Sequence, residues 1–390
     1  MQKRALTALD AAVQGGFWMS FCVAVSFAAV YLQGLGYTNT QLGAILAAGN
    51  LLGALLGPLC SSLIDRSRRV TAQGLVWPVL AGQGLWALLL LLLPGKGPLT
   101  VLCYVLYMAF SLCVNSLDLK LYVDFSHRGL AIDYGFARGM GSLSYVVLSF
   151  FLGALVERSS VRVLPAVGLA LCLVQALAHG LLLRRLPAGP GGREEARGVS
   201  LGAFLRRNGR FSVLLLGTAL VFIAHNTVCS FLINITRHVG GDTGDMGYLN
   251  SFMAAMEIPV MLFFSRLFGR RDPGKLLRVA FLCFVLKTAA VAAAPTLPFL
   301  YAAFLLQAPS FALYTAAIVP YTEGAIAYED QAKAQSLAFS MTTLGSVLAS
   351  VGSGWLLDRL SVPQTLLAAG GVCALGAGVA LIGLGGRKRP

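Results

Sequence analysis

The chain has 390 residues, of which 57% are hydrophobic and 12% are charged, and its mean hydropathy is +0.76. This composition excludes an ordinary soluble domain, which is about half apolar and about a quarter charged. The net charge of +14 does not indicate a nucleic-acid partner, because the Lys and Arg residues stand in short clusters between apolar runs and not along one amphipathic face.

Apolar runs of about 18 to 25 residues recur along the whole chain, and this is the length that crosses a hydrocarbon core of roughly 30 Å. Lys3 and Arg4 precede the first run without a small-residue cleavage site after it, so we expect a retained first helix. The pattern predicts an all-α integral membrane protein with twelve transmembrane helices. The predicted helices are 12–33, 41–64, 70–93, 98–120, 135–157, 162–183, 211–235, 245–268, 275–294, 297–321, 333–357 and 362–385.

The distribution of positive charge predicts the orientation of these helices. Of the 30 Lys and Arg residues, 24 fall in the two termini and the alternate loops that share one side of the membrane. Because cytoplasmic loops carry an excess of Lys and Arg, we expect both termini to be cytoplasmic, in a cell (cytoplasmic or inner) membrane.

The longest connection divides the chain into two similar halves. It spans 187–210, is rich in Pro and Gly at its start, and ends in an amphipathic stretch. The segment Gly153 to Arg158 lines up, at an offset of 201 residues, with the similar segment Gly354 to Arg359. We therefore predict two pseudo-symmetric six-helix bundles, 1–186 and 211–390, joined by a cytoplasmic linker, which is a layout typical of secondary transporters.

The loop after predicted helix 2 carries a family resemblance. Its sequence, Ser-Ser-Leu-Ile-Asp-Arg-Ser-Arg-Arg over 61–69, resembles the Gly-x-x-x-Asp-Arg-x-Gly-Arg-Arg loop of the major facilitator superfamily, with serine at both expected glycines. The resemblance implies that Asp65, Arg66 and Arg69 form a conformational gate. Two further segments, 133–142 and 246–257, resemble the branch that includes lactose permease and the phenylpropionate permease-like proton symporters.

The same resemblance implies roles for individual residues. Arg138 matches a sugar-binding arginine, Tyr145 stands where lactose permease has a sugar-stacking tryptophan, and Lys287 falls where that protein has a buried arginine. Gln307 and Ser310 stand where lactose permease has its histidine and its proton-carrying glutamate. This departure means that neither lactose specificity nor that coupling scheme follows from the resemblance.

Two ionisable residues lie near the middle of predicted helices. Glu257 in helix 8 and Lys287 in helix 9 are costly in a bilayer, which makes them candidates for function at the bundle interior. We expect them to be natural partners and to carry proton coupling. The alternative is a static ion pair that holds the two helices together.

Other polar residues in the spans are candidates for substrate binding. Arg138 with Asp118 has the chemistry to bind a carboxylate or hydroxyls, although Arg138 is equally compatible with reaching the cytoplasmic headgroups. His225 and Asn226 are candidates for hydrogen bonds to a substrate, or for contacts between helices. Gln307 and Tyr314 are candidates for lining a central cavity, where an aromatic residue is also compatible with simple packing.

These features favour a secondary transporter, proton-coupled and working by alternating access, for a small polar or anionic organic solute such as a sugar, a nucleoside or an aromatic acid. No Gly-x-x-x-x-Gly-Lys-Ser/Thr loop is present, so an ion or solute gradient must supply the driving force. An efflux antiporter for drugs or metabolites is the alternative transporter.

A lipid enzyme embedded in the membrane is disfavoured, because the four histidines are scattered and no nucleophile motif occurs. An ion channel is disfavoured by the twofold repetition and the few charge rings of the pore type. We expect no enzyme activity, no metal or other cofactor, and a monomer in the lipid bilayer.

Overall fold

The computed structural model describes residues 2–66, 70–93, 95–128, 130, 132–185 and 201–385. Within these ranges every regular element is a helix. Twelve helical segments are long enough and apolar enough to cross a membrane, so the expected all-α membrane fold is confirmed.

The helices are numbered in chain order. The N-terminal part of the chain contains α1 (Gln2–Phe21), a π-helical turn (Cys22–Ser26), α2 (Ala28–Gly34), α3 (Asn39–Arg66), α4 (Ala72–Leu92), α5 (Pro98–His127), α6 (Tyr134–Arg158) and α7 (Val163–Leu183). The remaining helices are α8 (Leu201–Arg207), α9 (Gly209–Ser230), α10 (Leu232–His238), α11 (Thr243–Phe268), α12 (Pro273–Ala293), α13 (Leu297–Phe304), a 3-10 turn (Leu305–Gln307), a π-helical turn (Ala308–Ala312), α14 (Leu313–Ala325), α15 (Tyr328–Leu357) and α16 (Val362–Gly383).

The first helix begins ten residues earlier than the apolar run predicts, at Gln2 instead of residue 12. The extra turns contain Thr7 and Asp10, whose side chains are buried although they are polar. The sequence pattern misses these turns because hydropathy counts both residues as membrane-exterior.

Polar side chains fix where several spans begin. Asp133 accepts a hydrogen bond from the backbone N–H of Phe136 at the start of α6, and Asp272 does the same for Gly274 at the start of α12. At α16, Ser361 and Gln364 form a reciprocal capping box. Each cap satisfies backbone donors that have no partner within the helix.

The outer face of α3 has the character of a surface in contact with lipid. Leu51, Leu55, Leu59 and Leu63, at every fourth position, are each more than half exposed, with values of 54%, 53%, 57% and 53%. A leucine stripe of this kind is costly in water and costs nothing in hydrocarbon.

The chain divides into two compact units, residues 1–195 with 243–251, and residues 196–242 with 252–390. The first unit packs its interior around Leu6, Phe17, Val114 and Phe125. The second unit packs around a larger aromatic core that includes Phe222, Phe281, Phe284 and Tyr314.

Close contact inside the first unit requires a glycine on α6. A Cβ atom added at Gly153 would lie 2.6 Å from the carbonyl oxygen of Thr243 and 2.9 Å from the Cα atom of Gly247. The two backbones therefore approach at this point without side chains between them. Gly153 opens the segment that is similar to Gly354 to Arg359, so in the first half this sequence signal coincides with a position of tight packing.

Candidate functional site: a buried polar network in each unit

Lys287 is the centre of a buried polar network in the second unit. Its side chain has no solvent exposure, and its Nζ atom lies 2.9 Å from Nδ1 of His225 and 2.9 Å from Oε1 of Gln307. The ring of Phe284 lies against the ammonium group, with its centroid 5.0 Å away. An ammonium group so enclosed depends on its hydrogen-bond acceptors to offset the cost of burying its charge.

Gln307 connects Lys287 to Glu257. The amide Nε2 of Gln307 donates to Oε1 of Glu257 over 2.8 Å, while the amide oxygen accepts from Lys287. In the described part of the chain, no ion pair joins Lys287 directly to a carboxylate. Glu257 and Lys287, expected from the sequence as partners, are therefore linked through a neutral amide that orients both.

The irregular backbone between α13 and α14 positions Gln307. The chain passes from a 3-10 turn that ends at Gln307 into a π-helical turn over Ala308–Ala312, with Pro309 at its start. Proline removes one backbone N–H and crowds the preceding turn, which accounts for the change of helical pitch. The departure from a regular helix directs the Gln307 side chain inward, where it is 1% exposed.

His225 completes the network on α9. Its ring stacks on Phe311 with 4.8 Å between centroids and an interplanar angle of 17°, and Nε2 lies 3.7 Å from the sulfur of Cys229. An ammonium group only donates, so a charged Lys287 requires Nδ1 of His225 to accept and the neutral ring to carry its proton on Nε2. Tyr314 packs edge-on against Phe222 nearby. The direct neighbours of the Lys287 ammonium group are thus neutral and aromatic side chains, and the carboxylate of Glu257 lies one residue further along the network.

Asn226, the neighbour of His225, faces a different environment. Its side-chain amide donates to the carbonyl oxygen of Phe222 over 2.8 Å, on its own helix. It belongs to the inner helix surface and has no hydrogen bond to Lys287, His225 or Gln307.

In the first unit, Arg138 lies on the ring of Trp18. The guanidinium carbon is 3.9 Å from the ring centroid, and Nη1 donates to Oγ of Ser142 over 2.9 Å. Stacking fixes the plane of the guanidinium group and leaves its edge to make polar contacts.

Asp118 is 4% exposed and pairs with a residue that sequence reasoning did not select. Its Oδ1 atom lies 2.8 Å from Nε2 of His179, and Nδ1 of the same ring lies 2.8 Å from the backbone carbonyl of Gln175. Asp10, also buried, interacts electrostatically with both. The rule that singled out Glu257, namely that ionisable residues inside spans are functional candidates, applies equally to His179 and Asp10.

Tyr145 takes part in a second hydrogen-bonded group of the first unit. Its hydroxyl lies 2.7 Å from Oγ of Ser26 and accepts from Nδ2 of Asn250 over 2.7 Å. Asn250 also donates to Ser149 over 2.9 Å. Tyr145 as a whole is half-buried, and these two contacts hold its hydroxyl in place.

The expected gate residues are only partly covered by the described residues. Arg66 is exposed at the last position of α3, and Asp65 lies in the same helical turn. Arg69 lies outside the described residues.

Among the residues that the structure describes, no group of three or more His, Cys, Asp and Glu side chains is arranged to hold a metal ion.

Comparison with known proteins decides the family. The model of the MFS_1 like family matches residues 17–368. The chain belongs to this family. The resemblance to the major facilitator superfamily is thereby confirmed, and with it the expectation of a membrane transporter and not an enzyme.

Two relatives of this MFS_1 like protein have transporter names. One is an Escherichia coli (strain K12) protein named "Probable 3-phenylpropionic acid transporter", 25% identical over 372 residues, which cover 90% of this chain and 94% of the relative. The other is a maltose permease of Geobacillus stearothermophilus, 27% identical over 346 residues, which cover 87% and 84%. Both names describe the transport of a small molecule. They support the expectation that the substrate of this protein is a small molecule.

Solved structures share the fold of this MFS_1 like protein. A variant of the nucleoside transporter NupG has a TM-score of 0.81 at 14% identity, with 98% of this chain and 99% of that chain covered. The POT family transporter PepTSo has a TM-score of 0.77 at 10% identity, with 98% of each chain covered. At these identities the likeness shows the fold alone, and that fold fits secondary active transport.

Proposed function

We propose that this protein is a proton-coupled symporter for a small organic anion, with an aromatic acid as the first candidate, ahead of nucleosides and sugars. The observation that carries the proposal is the fully buried Lys287, which has neutral side chains as its hydrogen-bond partners and no direct ion pair with a carboxylate in the described part of the chain.

The surroundings of Lys287 support an anionic substrate with an aromatic body. A buried cation without a direct counter-ion attracts an anion strongly, because few polar groups screen it. The side chains of Phe222, Phe284, Phe311 and Tyr314 provide an apolar environment within the same unit. A relative is named for 3-phenylpropionic acid, whose carboxylate and phenyl ring have matching chemistry.

Glu257 supplies the coupling step in this proposal. An ionised Glu257 balances Lys287 through Gln307 and competes with the substrate anion for its charge. A proton that binds Glu257 removes this competing charge, and the anion then binds the ammonium group. The proton and the anion therefore load together, and a monocarboxylate crosses with no net charge.

The remaining candidates keep supporting roles. Arg138, Tyr145 and Asp118 serve substrate recognition from the first unit, and His225, Asn226, Gln307 and Tyr314 do so from the second. Asp65, Arg66 and Arg69 serve as a conformational gate. The stacked guanidinium group of Arg138 supports a carboxylate or hydroxyl contact.

We further propose that the protein works as a monomer in the cytoplasmic (inner) membrane, with both termini in the cytoplasm. The charge asymmetry of its loops supports this orientation. The halves 1–186 and 211–390 with the linker 187–210 are proposed as the two bundles that move against each other during alternating access.

Uptake into proteoliposomes tests the function. Protein is reconstituted, an inward proton gradient is imposed, and accumulation of radiolabelled 3-phenylpropionate, maltose and uridine is compared with and without a protonophore. We expect gradient-dependent accumulation of 3-phenylpropionate. Lys287→Met should reduce it at least about tenfold, the equivalent of ~1.4 kcal/mol, whereas Lys275→Met on the exposed surface of α12 should not.

Other outcomes distinguish the alternatives. Accumulation of maltose or uridine but not of 3-phenylpropionate would overturn the anion proposal. Uptake that ignores the protonophore would overturn proton coupling. Solute extrusion driven by an opposite proton gradient would identify the efflux antiporter.

A further inference from the structure

The first unit contains a buried pair, Asp118 and His179, and the proposal above assigns no role to His179 or to the contact between the two residues. His179 on α7 has no exposure and Asp118 on α5 is 4% exposed. Their side chains meet over 2.8 Å, between Nε2 of the ring and Oδ1 of the carboxylate. A pair of fully enclosed ionisable groups on membrane-spanning helices is costly and calls for a function.

The hydrogen-bond geometry requires a proton between the two residues. Nδ1 of His179 lies 2.8 Å from the backbone carbonyl oxygen of Gln175, and a carbonyl oxygen only accepts, so Nδ1 must carry a hydrogen. Nε2 then faces Asp118 either as a second N–H or as a lone pair. At 2.8 Å a lone pair facing an ionised carboxylate is repulsive, so the contact exists only with a proton between Nε2 and Oδ1.

One oxygen of each carboxylate in this group has no hydrogen-bond donor among the described residues. Oδ2 of Asp118 and Oδ2 of Asp10 are buried and accept no hydrogen bond from any residue that the structure describes. Asp10 on α1 interacts electrostatically with Asp118 and with His179. Two buried carboxylates with unsatisfied oxygens beside one imidazole form a group that lacks protons, and such a group binds them readily from water.

Further titratable groups near the pair come from α6 and α5. Tyr134 on α6 interacts electrostatically with Asp10, Asp118 and Arg138, and its ring is tilted by 35° against that of Tyr122 on α5, with 4.4 Å between the centroids. Helix α4, which packs against α5 and α7, contributes no charged or titratable residue. Asp10 and Asp118 are therefore the acidic groups that interact with His179, and Arg138 is a cation that interacts with the neighbouring Tyr134.

We propose that Asp118 and His179, with Asp10 beside them, form a proton-binding site in the first unit, separate from Glu257 in the second. Uptake transfers one proton from water to Nε2, giving an imidazolium–carboxylate pair, since imidazole is the stronger base in water. Release returns that proton to water and leaves a neutral ring facing a carboxylate. The loss of this contact breaks the side-chain link between α5 and α7, so protonation controls whether these two helices are joined at this point.

The location of the pair fits exchange of protons at one surface. Asp10 lies near the start of α1, Asp118 in the last third of α5 and His179 in the last turns of α7. Consecutive spans alternate in direction, so these three positions share one side of the first unit. With the orientation proposed above, that side is cytoplasmic. The assignment of this side is the one part of the inference that rests on the proposed function.

Nitrogen-15 NMR of histidine-labelled protein in lipid nanodiscs tests the site without any substrate. The chain has four histidines, and His179→Gln assigns the signals of His179. Between about pH 5 and about pH 10 we expect Nδ1 to stay protonated while Nε2 changes from protonated to unprotonated. Asp118→Asn should displace the midpoint of this change by more than about one pH unit, a tenfold change in proton affinity. The exposed His238→Gln should leave it unchanged.

Three results would overturn the proposal: a ring with its proton on Nε2 and a bare Nδ1, no change over this pH range, or the same midpoint in Asp118→Asn. If Asp118→Asn does not give monodisperse protein, Asp10→Asn replaces it, and an unmoved midpoint there counts against the site. Failure of the wild type to accumulate solute under a proton gradient would refute the proposed function, and the NMR titration would still decide on the pair.

Discussion

Lys287 and Glu257, the two ionisable groups of the second unit that the sequence singles out, are joined by the side-chain amide of Gln307 and not by a direct contact. A direct buried ion pair is held tightly, since separating it leaves two unpaired charges. An intervening neutral amide weakens this attraction and keeps the relative orientation. The arrangement suits a cation that must exchange one negative partner for another.

Gln307→Glu tests the importance of a neutral bridge. The new carboxylate would lie beside Lys287 at the position of Oε1 and would satisfy its charge permanently. We expect the affinity for 3-phenylpropionate to fall at least about tenfold while the protein remains folded. Equilibrium binding measures the effect. Gln364→Glu, at the capping box of α16 where either residue type serves, is the matched control.

His225→Phe tests the other hydrogen bond of Lys287. Phenylalanine preserves the stack on Phe311 and removes Nδ1, so the ammonium group loses one of its two acceptors. We expect the free energy of unfolding to fall by about 1.5 to 3 kcal/mol, the usual contribution of a hydrogen bond to a charged group. Unfolding in mixed micelles measures it. An unchanged stability would mean that this contact is dispensable.

The pH dependence of binding follows from the competition between Glu257 and the substrate. Anion binding needs the protonated form of Glu257, so affinity should fall about tenfold per pH unit over the range in which Glu257 loses its proton. Glu257→Gln imitates the protonated carboxyl, and its affinity should be independent of pH over that range. A wild-type affinity that stays constant, or rises with pH, would contradict the competition.

Gly153→Ala tests the close approach inside the first unit. The added Cβ would lie 2.6 Å from the carbonyl oxygen of Thr243, so the backbones must separate, and we expect a loss of about 1 to 3 kcal/mol in stability. Gly352→Ala on α15 is the control, because nothing lies within 4 Å of its added Cβ. There the better helix propensity of alanine predicts a gain of up to ~1 kcal/mol. Thermal unfolding in detergent distinguishes the two.

The membrane fold follows from the sequence because each span carries its own signal. Twelve apolar runs of bilayer length predict twelve helices regardless of how they pack. Their ends are less clear, as α1 shows, since the buried Asp10 lies in turns that hydropathy assigns to the exterior. The sequence shows that a residue is polar, but it does not show whether a neighbouring helix supplies the contacts that offset the cost of burying it.

The candidate site follows from the sequence only in part. Glu257 and Lys287 stand out as charges inside apolar runs, but their link through Gln307 depends on the irregular backbone over 305–312. The pair of Asp118 and His179 joins helices that are not consecutive in the chain. Such contacts depend on the rotation of each helix about its axis, which a single sequence does not specify.

The most direct test of the account is a comparison of two transport modes in Glu257→Gln. Accumulation driven by a proton gradient requires Glu257 to bind and release a proton, whereas exchange of labelled for unlabelled 3-phenylpropionate across the membrane does not. Glu323→Gln, at an exposed position on α14, is the control. We predict that Glu257→Gln retains exchange and loses gradient-driven accumulation; accumulation at the wild-type level in this variant would contradict the account.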